Sequence, residues 1–300
     1  MLWLGESRGY LADWVTQQWV RITGRRLELE QHPWLRGPVG DTTAIGAGFF
    51  DDYARRNGLT VIDDGESRGL LPDMDAVLDS SLLHPFVVRF YECTSDYRMD
   101  SWCEWNPWFQ PFGKLLAVLF SRRLAQLNVP LSGLDTHRGI SSRVVTLRGP
   151  AGETETAWVR ELVACRRTLY AGSYTSCNIP GHPSPCIKVC FPLPNGRAVV
   201  VMRCEPGQEG SLWLASDGHA FGEPGFYFVV ERNGRTWARY VQTMKETIHV
   251  YAAEEGAVRA DHVLRIWGRV FLRLHYRLAP ASGGDALTGR PGPGREAPLR

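Results

Sequence analysis

The chain has 300 residues, 44% of them hydrophobic and 22% charged, with a formal net charge of +2. That length permits one large domain or two small ones, and the apolar content is sufficient for a substantial core. Near-neutral charge with scattered arginines excludes the clustered basic footprint of a nucleic-acid-binding protein.

The first residues, MLWLGESRGYLAD, have no basic leading segment and reach Glu6 early, so no secretory signal is expected. No apolar run approaches the roughly 20 residues that cross a bilayer. The expectation is a soluble, cytoplasmic chain that does not span a membrane. Its seven cysteines are expected as reduced thiols, mostly buried as small hydrophobes.

Residues 1–83 read as a helical N-terminal extension. Tyr10, Leu11, Trp14, Val15 and Ile22 fit one face of a helix starting near Ser7, and Phe49, Phe50, Tyr53 and Ala54 fit a second ending at Gly58. The loop between them contains Gly46-Ala47-Gly48, but no Gly-Lys-Ser/Thr follows, so it is not a phosphate-binding loop. A near repeat, GESRGYLAD at residues 5–13 and GESRGLLPD at 65–73, reads as two similar turns leading into short helices.

A core domain is expected over residues 84–279. Residues 97–109 fit a strand carrying Trp102, Trp105 and Trp108, either as a buried aromatic cluster or as the wall of a ligand pocket anchored by Glu104 or Asp100. Leu115, Leu116, Val118, Leu119, Phe120, Leu124 and Leu127 then recur at helical spacing, predicting a core helix from about residue 112 to 128. Eight short segments rich in Val, Thr and aromatics follow between residues 141 and 242. Pro150-Ala151-Gly152, Pro194-Asn195-Gly196 and Asn233-Gly234 punctuate them, which implies an antiparallel meander.

Residues 245–252 and 257–267 flank Ala253-Glu254-Glu255-Gly256, a Gly-ended connection suited to a tight hairpin. With Glu255-Gly256 as a two-residue loop, Glu246 opposes Arg265 and His249 opposes His262, both imidazoles on the apolar face. Such a pair resists double protonation and leaves a neutral imidazole available as a base or ligand. From Leu264 to Leu278 the even positions are apolar, which fits strands bent at Gly268. The alternative there is a helix against a curved sheet, the helix-grip arrangement of START and Bet v1-like proteins. Residues 280–300 form a Gly- and Pro-rich tail expected to be disordered.

Cys177, His182, Cys186 and Cys190 superficially resemble a zinc site. Cys186 and Cys190 stand four apart in a predicted strand, roughly 13 Å, too far for one tetrahedral metal, so no metal is expected. No Gly-x-Ser-x-Gly elbow is present, and no cofactor is expected.

Tyr91-Glu92-x-Thr94-Ser95 with Trp102 and Trp105, Phe191-Pro192-Leu193-Pro194-Asn195-Gly196, Asp261-His262-x-Leu264-Arg265 and His275-Tyr276-Arg277-Leu278 carry a resemblance. The chain is similar in these to an uncharacterised group of bacterial domains found beside YndJ-type membrane proteins, and more distantly to a domain behind some reductases. That group carries no activity to transfer.

The expected fold is α+β: a curved antiparallel sheet, as a meander, barrel or helix-grip, closing on the helix near residues 112–128. The first functional expectation is binding of a small hydrophobic molecule or lipid in a cavity lined by Trp102, Trp105, Trp108 and Tyr251. The second is a cofactor-independent cyclase or isomerase using Glu104 with His249 or His262. The third, implied by the resemblance, is a module docking to a membrane or reductase partner.

Overall fold

The computed structural model describes residues 2–62, 69–111, 113, 124, 126, 140–162 and 167–281. Among the described residues, three α-helices that lie wholly within them, α1 (Leu11–Thr23), α2 (Phe49–Asn57) and α3 (Pro85–Glu92), accompany fourteen strands. The first eight strands are β1 (Arg25–Leu27), β2 (Thr60–Ile62), β3 (Tyr97–Trp105), β4 (Ile140–Arg148), β5 (Thr154–Leu162), β6 (Arg167–Cys177), β7 (Cys186–Leu193) and β8 (Gly196–Pro206). The remaining six are β9 (Leu212–Ala215), β10 (Gly225–Arg232), β11 (Arg235–Tyr240), β12 (Met244–Ala252), β13 (Val258–Ile266) and β14 (Arg269–Pro280).

Antiparallel pairing runs in sequence order from β3 to β8, and β14 returns to pair with β3. The pairing of β8 with β9 closes β3–β9 and β12–β14 into a ten-stranded barrel. Strand β8 forks: Gly196 to Val201 pair with β10, whereas Arg203 to Pro206 pair with β9. The branch β10–β11–β1 leaves the barrel there as a side sheet, and α1 lies against it.

Tight turns set this meander. Asn233 and Gly234 between β10 and β11, and Trp267 and Gly268 between β13 and β14, all have positive φ. Two such residues in sequence twist in the sense that antiparallel strands require. The 264–278 segment is therefore two strands meeting at Trp267-Gly268, and its helical alternative does not arise.

Helix α3 packs against the wall at β12 and β13. His84 caps its start through Nδ1, which accepts from the Phe86 amide at 3.2 Å, and Pro85 takes the first helical position. Its Val87, Phe90 and Tyr91 share one core with inward residues of the wall, among them Ile187, Val189, Val200, Met202 and Val258. The predicted helix near residues 112–128 lies outside the described residues except at Gly113, Leu124 and Gln126. Gln126 is buried, and its carboxamide donates to Ala171 O and accepts from Ala171 N.

Outside the barrel, β4–β8 are clad. Ile45, Phe49, Phe50 and Ala54 cover Val145, Leu147, Ala157 and Val159, while Trp34 and Leu35 cover Cys186, Cys190, Val199 and Val201. Gly37 in the second covering presses so close that a Cβ there would stand 2.4 Å from Cys190 Sγ. The fold is thus α+β with a barrel-like antiparallel sheet. Among the described residues, no helix is long and apolar enough to cross a membrane.

Helix α1 corrects an expectation. Its buried face carries Asp13, Gln17 and Val20, and Leu11, Val15 and Ile22 are exposed. Gln17 Nε2 donates to Pro194 O at 3.1 Å, so a polar contact with the β7–β8 turn seats this helix together with the buried Val20 and the Trp19–Phe228 ring contact.

Candidate functional site

The β12–β13 hairpin decides where the predicted residues go. Ala253 N donates to Ala257 O, and Glu254-Glu255-Gly256 form a three-residue loop with Gly256 at positive φ. One more loop residue than predicted shifts the register by one and turns side chains to the other face. Ile248 therefore opposes His262, and His249 opposes Asp261. The two imidazoles lie on opposite faces of the wall and do not form the predicted pair; Glu246 opposes Leu264 rather than Arg265.

On the outer face, one register line crosses five strands as Trp213, His249, Asp261, His275 and Trp102. The His249 ring stacks on Trp213 at 4.0 Å, and Tyr251 lies 5.0 Å from it. Burial lowers the His249 pKa, and the Asp261 carboxylate acts the other way. Asp261 accepts from Tyr251 Oη at 3.2 Å and contacts His275 Nδ1 at 2.6 Å, while Glu104 lies 4.0 Å from His275 Nε2. Trp102, Glu104, His249 and Tyr251 thus share one face, the outside of the barrel, with β13 and β14 between Trp102 and His249.

The remaining predicted residues are dispersed. Trp105 sits at one barrel end, its ring against Gly113 and 6.3 Å from Phe271. Trp108 is 92% exposed at the rim of an open cleft of about 500 Å³ that Arg269 and Arg273 also line. His262 faces inward, its Nε2 2.9 Å from the Glu246 carboxylate, and both side chains are largely buried.

Inside the barrel, β5 supplies a site that sequence reading missed. Trp158 Nε1 donates to Ser142 Oγ, which fixes the indole across β4. Two residues on, Arg160 points to the same face, only 6% exposed. Its guanidinium lies 3.4 Å from the Trp158 ring centre, 4.6 Å from Tyr170 and 5.3 Å from Tyr276. A β-bulge between Arg160 and Glu161 admits an extra residue on β6, so that Leu169 and Tyr170 both reach the core beside it.

Among the described residues no carboxylate forms an ion pair with Arg160, and its buried Nε has no hydrogen-bond partner. Tyr170 and Tyr174 share a hydroxyl contact of 3.2 Å. Burial raises the pKa of Tyr170, Tyr174 and Tyr276, and the positive charge of Arg160 acts against it on all three. The Glu246 carboxylate raises Tyr174 and Tyr276 further, and Tyr276 stands on β14 beside the strand that carries His262. The signal available in the sequence was the alternation Trp158, Arg160, Leu162 in a strand, which puts a cation among core aromatics.

The thiols proposed above as a superficial metal cluster are hydrophobic in behaviour. Cys177 and Cys186 are cross-strand neighbours, and burial pushes Cys177 up to about 12 and Cys186 up to about 11. Cys190 lies further along β7 under Trp34 and Leu35, also pushed up to about 12.

No protein-family model matches the chain, and no solved structure matches it. The chain is 25% identical over 217 residues to the uncharacterized membrane protein YndJ of Bacillus subtilis (strain 168). That match covers 70% of this chain and 38% of the relative, so the chain corresponds to well under half of that protein and is distantly similar to it.

Proposed function

We propose that the barrel binds a small amphipathic acid, its carboxylate or phosphate against Arg160 and its apolar body along the aromatic wall. The observation that carries this reading is the Arg160 guanidinium, withdrawn from solvent among three aromatic rings without a described carboxylate. Burying an unpaired cation costs about several kcal/mol, whereas aromatic faces return only about 2 kcal/mol when desolvated. An anionic head group supplies the missing counter-charge. Phe90, Trp158, Tyr170, Tyr174 and Tyr276 offer the apolar surface beside it. The distant similarity to a membrane protein agrees with an acid of lipid origin.

The Glu246–His262 hydrogen bond favours a second reading, cofactor-independent acid–base chemistry on the same ligand. A carboxylate that orients an imidazole is the usual arrangement of a general base. In this reading Glu246 takes the part expected of Glu104.

The test is mass spectrometry of the purified chain, native and after organic extraction, on wild type and Arg160→Met. The expected result is a small acid carried by the wild type and lost from a folded Arg160→Met. Absence of any adduct, together with no calorimetric response to a series of medium- and long-chain fatty acids and their phosphates, removes the proposal.

A further inference from the structure

Helix α1 presents to solvent three of the residues that its sequence would bury, Leu11, Val15 and Ile22. Leu11, Val15, Trp19 and Ile22, spaced by four, four and three, form one stripe, with Ile22 80% and Val15 53% exposed. Leu2 and Trp3 continue the exposed apolar surface before it. The opposite face of the helix is fixed against the protein through Asp13, Gln17 and Val20, so the stripe cannot turn inward without breaking the Gln17 contact.

Beside that stripe lies a cleft of about 360 Å³ lined by Arg8, Arg21, Arg232 and Arg235 with Trp14 and Trp237. None of the four arginines forms an ion pair with a described carboxylate. Arg232 and Arg235 are direct cross-strand partners at the Asn233-Gly234 turn, an arrangement of like charges that destabilises a hairpin. Arg21 stacks 4.9 Å from the Trp237 ring centre and donates to Gln18 Oε1, which leaves its own Nε and Gln18 Nε2 without described partners. Four guanidinium groups gathered in one concavity attract a concentrated negative charge. Arginine suits phosphate because its planar fork of donors matches the oxygens.

We infer that this face is a docking surface for an anionic phospholipid membrane, with lipid phosphates in the arginine cleft and Val15, Trp19 and Ile22 at the acyl boundary. Charge complementarity selects the occupant. A second copy of this chain would bring four more arginines to the same cleft, and a free phosphate would leave the apolar stripe uncovered. An amphipathic helix with basic residues beside its apolar face is the form in which proteins lie on a bilayer without spanning it. This surface is remote in residue content from the barrel site, so each proposal stands or falls separately.

The test is co-sedimentation of the full chain with vesicles of phosphatidylcholine alone and of phosphatidylcholine with an equal part of phosphatidylglycerol. The expected result is binding to the second only, weakening as salt rises, and falling roughly fivefold for each of Arg232→Gln and Arg235→Gln. Ile22→Asp is expected to reduce it by roughly tenfold or more with an unchanged melting temperature, because its site is open to solvent. Equal pelleting with both vesicles, or with neither, overturns the inference. So does tight binding of inorganic pyrophosphate that Ile22→Asp leaves untouched while vesicles fail to pellet the chain. A concentration-dependent dimer abolished by Ile22→Asp would assign the face to self-association and likewise overturn it.

Discussion

The two sides of the barrel are built from strands of similar length, 8–11 residues along β4–β8 and 9–12 along β12–β14 and β3, and differ in how many faces they bury. Along β8 every residue from Gly196 to Met202 is buried, because Trp34, Leu35 and their neighbours clad the outside while α3 and the opposite wall pack on the inside. Along β12–β14 and β3 the outside is bare, and Trp102 is 57% exposed in line with His275 and Asp261. A continuous apolar run thus marks a wall between two cores, and alternation marks a wall between a core and solvent. The ionisable and aromatic residues that sequence reading selected as a pocket lie mostly on the bare side, where alternation leaves every second side chain free to be polar.

The comparison predicts unequal costs of truncation. Ile187→Ala, at a site that is 1% exposed inside the clad wall, should cost about 2–5 kcal/mol in denaturant midpoint analysis. A loss below about 0.5 kcal/mol would mean that the clad wall relaxes as freely as a surface.

Next in size is Arg160→Met, which should stabilise the ligand-free protein. Replacing buried charge by an apolar side chain of similar volume is worth about 1–4 kcal/mol where the charge lacks compensation. A higher melting temperature together with lost ligand would show that the guanidinium is held for binding. Destabilisation would instead assign Arg160 a structural role among Trp158, Tyr170 and Tyr276.

Much of this fold was legible from turn chemistry and alternation. Asn233-Gly234 and the even-numbered apolar positions from Leu272 to Leu278 gave a hairpin and an inward face that the structure repeats, whereas the β-bulge between Leu264 and Arg265 sets Val270 opposite Arg265. Three things were not legible, each for a physical reason. The β12–β13 loop differs from the two-residue alternative by one residue, and register depends on that residue because side chains alternate with period two. Helix α3 has eight residues, too few for helical periodicity to separate from a buried strand. The exposed stripe of α1 carries the pattern of a buried one, since periodicity reports that a helix has two faces and not which of them meets the protein.

On the bare side, Trp102→Ala should change stability by less than about 0.5 kcal/mol, the range for surface positions. Calorimetric or denaturant measurement beside Ile187→Ala gives the contrast directly. A cost approaching that of Ile187→Ala would mean that the outer line of aromatic and ionisable residues is covered in solution.

The smallest effect sharpens the same contrast through His249. Its ring is sandwiched against Trp213 at 4.0 Å, and burial, opposed by Asp261, holds its pKa below the ordinary value near 6.5. Above that ordinary value both folded and unfolded forms are neutral, and His249 contributes no pH dependence. As pH falls through about 6.5 the unfolded chain takes up a proton that the folded chain resists, so stability declines until the folded imidazole also protonates. Proton NMR should therefore place the His249 midpoint below about 6.5 in the wild type. Trp213→Ala, which uncovers one ring face and leaves Asp261 in place, should move that midpoint upward. A midpoint unmoved by Trp213→Ala would mean that the indole does not shield the imidazole, and that the bare wall is bare at His249 as well.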